Sequence, residues 1–335
     1  MKKSIEAVII IVTLMLLLFV LKDINFVQVY DALTHINLSY FYLALTCCVF
    51  SFVVWNVRWL DNISAIIKGN DWFLSIVFFA GFFVNAITPG AGTAGEPVRA
   101  YFLNKKYNKP ISEILGCLLA DKILNLLVFS FFVIFSISFL LIYTQIAPIL
   151  RIILEIILGI SVLSFIASFI AFYKKRKFKT TIVPHLLFKL KFIRNKFKTQ
   201  EKLKEYLDKR LNSSIDRFRS VILDKRKFIL GIFIGAIYWI LMYLSSYFLF
   251  ISFGERIDLI SVIIAVTIGY LIGDIAPVPG GIGFTEGTMF LIYSALGISA
   301  PIAALVTLLS RAMYLLISLL PGGLCLLYLR IKLKN

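Results

Sequence analysis

Charged side chains are scarce in this 335-residue chain: Asp, Glu, Lys and Arg together make 16% of it, against about 25% in soluble domains. Histidine is scarcer still. His35 and His185 are the only two, both outside the long apolar runs, so no His-based metalloenzyme motif is available. The four cysteines, Cys47, Cys48, Cys117 and Cys325, all lie inside apolar runs without CxxC or metal spacing, and are expected to be small buried hydrophobes. GxSxG, Walker A and Rossmann fingerprints are missing too, which leaves ATP-driven transport by this chain alone without support. No metal and no cofactor is expected. The alternating segments of about 10 residues that mark a β-barrel are not visible either.

What the chain has is apolar surface: 60% hydrophobic residues and 15% aromatic, with a mean hydropathy of +0.92. Apolar segments fall at 5–21, 38–60, 72–88, 110–143, 148–173, 228–252, 259–276, 287–297 and 301–330. A helix needs about 20 residues to cross a hydrocarbon core of ~30 Å. By that measure 5–21, 38–60, 110–143, 148–173, 228–252 and 301–330 are full spans. The segments 72–88 and 259–276 run into proline and glycine, then resume as short apolar pieces. The run 5–21 follows Lys2-Lys3 with no small-x-small cleavage site before Lys22, so it is expected to be a retained helix rather than a signal peptide.

The formal charge of +17 is concentrated. Residues 174–227 hold 19 Lys/Arg against 5 Asp/Glu. Because membrane spans flank this block, it points to positive-inside topology rather than to nucleic acid. Stretches such as "PHLLFKLKFIRNKF" mix basic and apolar residues as interfacial helices do, and anionic lipid head groups are the expected contact. Placing Lys2-Lys3, Lys105-Lys106-Lys109, the 174–227 block and the tail "RIKLKN" on one cytoplasmic side requires that 72–103 turn back without crossing. The same count makes 259–297 a hairpin entered from outside. The expected fold is all-α: a polytopic protein of about six full spans and two re-entrant broken-helix hairpins.

The two interruptions resemble each other. In "PGAGTAGE" Glu96 lies six residues after Gly90, and in "PGGIGFTE" Glu286 lies six after Gly280. "PISEILGCLLADKILNLLVF" (110–129) then parallels "PIAALVTLLSRAMYLLISLL" (301–320) at a spacing of 191. Each half, 38–143 and 228–330, reads span, broken hairpin, span. Opposite entry sides make them inverted-topology repeats within a single membrane domain spanning 1–335, as in many secondary transporters. The spans 5–21 and 148–173 are additions to that unit, and 174–227 is a basic cytoplasmic loop.

Irregular backbone at membrane depth is tolerated only where protein or a watery cavity satisfies it. Pro89 and Pro279 are read as the breaks, with Gly90, Gly92, Gly95, Gly280, Gly281 and Gly283 supplying freedom and close approach. Glu96 is expected at the start of the returning helix, either in a capping box with Thr93 or as the cap before Pro97. A carboxylate at depth costs ~2.5–3.5 kcal/mol on insertion scales, more than the ~1 kcal/mol typical of a cap. Glu96 and Glu286 therefore call for a cationic partner or a proton. Arg99, three residues on, can pair with Glu96 along one helix face. Lys122 and Arg311 fall near mid-bilayer. Asp121 cannot pair with Lys122 along the helix, and Asp274 sits near the bend of the second hairpin. The expected site is a polar cavity lined by Glu96, Arg99, Asp121, Lys122, Asp274, Glu286 and Arg311. Arg58, between Trp55 and Trp59, reads as an interfacial anchor.

The run "NAITPGAGTAGEPVRAYFL", the charged pair some 25 residues later, "PVPGGIGFTEG" and the late "LLSRAMYLL" together resemble the membrane domain of lysylphosphatidylglycerol synthases, which also occurs alone in flippase-like proteins. The resemblance covers most of the chain. It implies a lipid flippase-like function with inverted re-entrant segments, and it places Glu96, Arg99, Glu286 and Arg311 on motif positions. The chain departs at "ADKILN": where the family commonly has an acidic–Arg pair with a further Asp, Asp121-Lys122 and Asn125 stand here. No soluble aminoacyl-transferring domain fits before Asn335, so synthase activity is expected to be absent.

Three functions stay open at this point. The first is a lipid translocator for an anionic or aminoacylated phospholipid, or for a polyprenyl-phosphate-linked lipid, in the cell membrane. The others are a membrane enzyme or accessory subunit of lipid or glycan synthesis, and a small-solute secondary transporter. Membrane lipids are the expected partners. A homo-oligomer or a lipid-modifying enzyme partner is compatible with each.

Overall fold

The computed structural model describes residues 33–88, 93–143, 148–173 and 199–333. The expected helix at 5–21, the interfacial stretch inside 174–198, and Pro89, Gly90 and Gly92 lie outside the described residues. Among them the chain is all-helical: α1 (Leu38–Ile63), α2 (Asp71–Ile87), α3 (Gly95–Tyr107), α4 (Ile111–Tyr143), α5 (Pro148–Tyr173), α6 (Gln200–Ile222), α7 (Lys225–Ser252), α8 (Leu259–Ile275), α9 (Phe284–Ala295) and α10 (Ala300–Lys332). Asparagine and aspartate start the main elements. Asn37, Asn70, Asp224 and Asp258 each accept from backbone N–H groups of the first turn of α1, α2, α7 and α8, satisfying donors that have no intrahelical partner.

Among the described residues, four helices, α1, α4, α7 and α10, are long and apolar enough to cross a membrane. The apolar helices α2 and α8 have 17 residues each, about 25 Å at ~1.5 Å per residue, and so fall short of a ~30 Å core. Each ends two residues before a proline. Thr88, before Pro89, and Ala276, before Pro277, are both extended (ψ 141° and 137°), because a proline ring clashes with a helical residue ahead of it. In the second half the break is therefore made by Pro277, two residues earlier than the sequence reading placed it, and Pro279 belongs to the connection that follows. Gly280, Gly281 and Gly283 in that connection all have positive φ (59°, 67° and 85°), a region closed to most side chains.

The two halves match element by element. Helix lengths run 26, 17, 13 and 33 residues for α1–α4, and 28, 17, 12 and 33 for α7–α10. Their packing is exchanged as well. Helix α10 lies on α2 as α8 lies on α4, α1 meets α10 as α7 meets α4, and α1 packs on α7 between the halves. One hydrophobic core, from Ala44 to Leu329, runs through both. Helix α5 runs along α4.

The described part of the basic block, 199–227, is no open loop. Helix α6 packs on the start of α4. Ser214 donates to the carbonyl of Ser112, and Arg217 pairs with Glu113 at 3.1 Å. Lys227 holds the end of α1 through Asp61 and the Ser64 hydroxyl. The backbones of α4 and α6 approach so closely that a Cβ on Gly116 would sit 2.3 Å from the Ser214 carbonyl oxygen. Overpacking of this kind costs about 1–3 kcal/mol. Gly116→Val should therefore lower the melting temperature of the detergent-purified protein and speed tryptic cleavage within 199–227. Gly159→Val, where a Cβ meets nothing within 4 Å, should leave both unchanged.

Candidate functional site

The ends of α2 and α8 converge. A Cβ on Gly280 would meet the carbonyl of Ala86 at 3.1 Å, so the second connection touches the last turn of α2. Around this meeting point lies a cavity of about 150 Å³. All eight helices of the two halves line it, α3 with Glu96 and Arg99, α4 with Asp121, Lys122 and Asn125, α8 with Asp274 and α10 with Arg311. Six of the seven charged residues singled out from the sequence thus share one cavity, together with Gly280 and Gly281. The seventh, Glu286, stands behind Arg311.

Three arginines are buried here, Arg58, Arg99 and Arg311, at 1%, 2% and 3% exposure. Each is matched to a carboxylate: Arg58 to Asp121 at 2.9 Å, Arg99 to Glu96 at 2.9 Å and Arg311 to Glu286 at 2.8 Å. Two of the guanidinium groups also reach backbone carbonyls. Arg99 donates to the Phe78 carbonyl (Nη2, 2.9 Å) and Arg311 to the Gly280 carbonyl (Nη2, 2.7 Å). Aromatic faces cover the cations, Phe78 and Phe82 over Arg99 at 4.9 and 5.2 Å, Tyr270 and Tyr314 over Arg311 at 5.2 and 5.4 Å, and Trp55 over Arg58 at 5.5 Å. Space for the planar groups comes from small residues: a Cβ on Gly81 would lie 2.2 Å from Arg99 Nε, and one on Gly235 2.8 Å from Arg58 Nη1. Charge at such burial is sustained by pairing and hydrogen bonding of this kind.

Glu96 and Glu286 occupy matching places but are held differently. Arg99 sits on the same helix as Glu96, and Met289 stands where it would fall in the second half. Glu286 takes its guanidinium from α10, and Ala120 stands at the place corresponding to Arg311. Glu286 also accepts from the Gly283 N–H through Oε2 at 2.6 Å, whereas Oε2 of Glu96 is buried without a hydrogen bond. Neither capping arrangement expected for Glu96 is found. Helix α3 starts after Ala94 with no side-chain cap, because the Glu96 carboxylate turns to Arg99. Gly95, expected in the loop, is the first residue of α3, and its N–H donates to Asn85 Oδ1 at 2.7 Å.

Arg58 is the main correction. Instead of anchoring at an interface it is buried against Asp121, which also accepts from Asn62 Nδ2 (3.0 Å) and Trp55 Nε1 (3.2 Å). One hint was present: Arg58 and Asn62 are four residues apart, one turn on the same face of α1. The aromatic wall was also missed. Ring contacts of 4.7–5.8 Å close a circuit through Phe82, Trp55, Tyr238, Trp239, Tyr270, Tyr314 and Phe52. Six of these seven rings face the cavity. Nothing in the spacing of aromatics along five separate helices announces that they meet.

With the geometry in place, comparison with known proteins identifies the group. The family described as the lysylphosphatidylglycerol synthase TM region matches residues 5–322. The chain belongs to that family. It is similar to a UPF0104 membrane protein of Pyrococcus horikoshii, 30% identical over 300 residues and 87% of each chain. A UPF0104 membrane protein of Methanothermobacter thermautotrophicus is 27% identical over 85% of this chain and 83% of its own. Another, of Methanocaldococcus jannaschii, is 25% identical over 97% of this chain and 95% of its own. Like them, this member of the lysylphosphatidylglycerol synthase TM family is an integral membrane protein.

Removing one partner of a buried pair strands the other, at about 3–5 kcal/mol, while replacing both with apolar residues is often neutral. Arg58→Ala and Asp121→Ala should each destabilise the detergent-purified protein strongly. The double variant Arg58→Met/Asp121→Leu should recover at least half of the loss in melting temperature, a non-additivity that thermal unfolding would reveal.

Proposed function

We propose that this chain is a lipid translocator in which a polar head group passes through the charged cavity while its acyl or isoprenoid tails stay in the bilayer. The observation that carries the reading is the cavity itself, lined by ionisable groups of both signs at the junction of two broken helices. A head group leaving water loses its hydration, and charged walls offset part of that loss. Ordinary anchors have no use for such groups at depth, which are expensive unless they serve a path.

The matched helix lengths and exchanged packing of the two halves support inverted repeats, each with one re-entrant hairpin: α2–α3 entered from the cytoplasm and α8–α9 from outside. Alternating access then amounts to rocking one half against the other about the α1–α7 contact, with the cavity between them. In this arrangement residues 1–335 form one membrane domain of the cell membrane. The N-terminus, the 174–227 block and the C-terminus face the cytoplasm, where α6 and its basic neighbours meet anionic lipid. Candidate cargoes are an anionic or aminoacylated phospholipid and a polyprenyl-phosphate-linked lipid.

Purified protein in liposomes should accelerate transbilayer movement of a tail-labelled lipid, and Lys122→Gln should slow it by about tenfold or more, the usual scale of losing a charge-assisted contact. Unaltered movement in that variant would remove the cavity from the path. No acceleration at all, with catalytic turnover of a lipid instead, would favour the enzyme reading. A second expectation concerns topology: in a cysteine-free background, Lys106→Cys should react with an impermeant maleimide only from the cytoplasmic face. Labelling from outside would eliminate the re-entrant α2–α3 hairpin.

A further inference from the structure

A second recess lies where α6 crosses the start of α4, an open groove of about 520 Å³ that shares no residue with the central cavity. Its floor is apolar, formed by Ile111 and Leu115 of α4 and by Leu207 and Leu211 of α6. Ile111 and Leu211 keep 42% and 38% of their surface open. One cation, Arg210, stands beside this floor. Arg210 and Arg217 are two turns apart on α6, and both reach the first turn of α4. Arg217 finds Glu113 there at 3.1 Å. Arg210 meets only the Ser112 hydroxyl at 3.5 Å and the Tyr206 ring, 5.4 Å from its Cζ, and makes no ion pair among the described residues. No acidic side chain lines the groove among those residues, since Glu205 and Asp208 of α6 lie off its walls.

We propose that this groove holds one anionic phospholipid, with its phosphate on Arg210 and the upper part of its acyl chains laid on Ile111, Leu115, Leu207 and Leu211. The assignment narrows the contact between α6 and anionic lipid proposed above to a defined site and rests on that contact, but it requires no lipid movement. Depth is the first observation behind it. Helix α4 is apolar enough to cross a membrane and has 33 residues, about 50 Å at ~1.5 Å per residue, against ~40–45 Å for a bilayer with its head groups. The groove lies on the first turns of α4, at the level where phosphates end and acyl chains begin. Sign is the second. A guanidinium without a carboxylate offers its fork to a phosphate. Exposed Lys105 and Lys106 end α3, and exposed Lys109 follows just before α4, so the surrounding field is positive. The third is the pairing of that cation with open apolar surface. A free phosphate would leave the floor in water, whereas a lipid covers it. Size agrees: about 520 Å³ falls within the ~300–1,000 Å³ of ligand pockets. The chain's own 174–198 segment is a poorer occupant, because it carries ten Lys/Arg and no Asp or Glu and so repels Arg210.

The test uses the full chain in detergent, titrated with short-chain phosphatidylglycerol, with phosphatidylcholine of identical tails, or with tail-free glycerol phosphate. Thermal stabilisation reads binding, and slowed amide hydrogen exchange across 203–215 reports its place. Phosphatidylglycerol should half-saturate at a concentration about tenfold or more below that of phosphatidylcholine, the scale of one charge-assisted contact. Arg210→Gln should bring the two lipids within about twofold of each other, and Arg210→Lys should keep most of the preference. Lys204→Gln removes the same charge from an exposed position of α6 off the groove and should keep all of it. Leu211→Ser should weaken both lipids alike. Stabilisation by glycerol phosphate as strong as by phosphatidylglycerol would make this a free-phosphate site and overturn the lipid assignment. A preference that survives Arg210→Gln, or no protection of 203–215, would place the lipid elsewhere. Equal losses in Arg210→Gln and Lys204→Gln would reduce the site to diffuse attraction, overturning it while the contact of α6 with anionic lipid stands. Equal binding of the two lipids by the wild type would overturn both. Lipid movement in liposomes is a separate readout: its absence would remove the translocator reading and leave this site in place.

Discussion

A guanidinium cannot be left alone away from water, and this requirement shapes the centre of the protein. Arg58, Arg99 and Arg311 each need a carboxylate, further acceptors and a covering ring at once. Those demands fix where helices start and stop. The carbonyl of Gly280 is free to accept from Arg311 because the chain there is not helical, so the break that exposes backbone and the cation that satisfies it are parts of one solution. Gly81 and Gly235 follow from the same need, as flat spots on which two guanidinium groups lie.

The resemblance between the halves carries a second lesson. Lengths and packing partners agree closely, while the charges do not. Glu96 is matched from within its own helix and Glu286 from a neighbouring one, and Lys122 and Asp274 have no charged counterparts at the related positions. An even architecture with uneven lining gives each side of the cavity its own sign.

Much of the fold was legible because membrane chains announce their helices through length and apolarity. The expected segments 38–60, 72–88, 110–143, 228–252 and 301–330 correspond to α1, α2, α4, α7 and α10 within a few residues. The PG pair at 279–280 repeats the one at 89–90 and so suggests the break, but the constraint on a residue preceding proline places it at Ala276, before Pro277. The 199–227 segment read as loop because its charge masked an amphipathic helix whose apolar side, with Leu203, Val221 and Ile222, is buried.

Sequence alone determined the class of the protein, the two proline and glycine interruptions, and the pairing of Arg99 with Glu96, because these depend on composition and on contacts three or four residues apart. Tertiary structure decided the rest. Asp121 meets Arg58 from 63 residues away, Glu286 meets Arg311 across 25, and rings from five helices close around one cavity. Such contacts depend on how helices lie against each other, and a one-dimensional pattern carries no record of that where nearly every helix face is apolar.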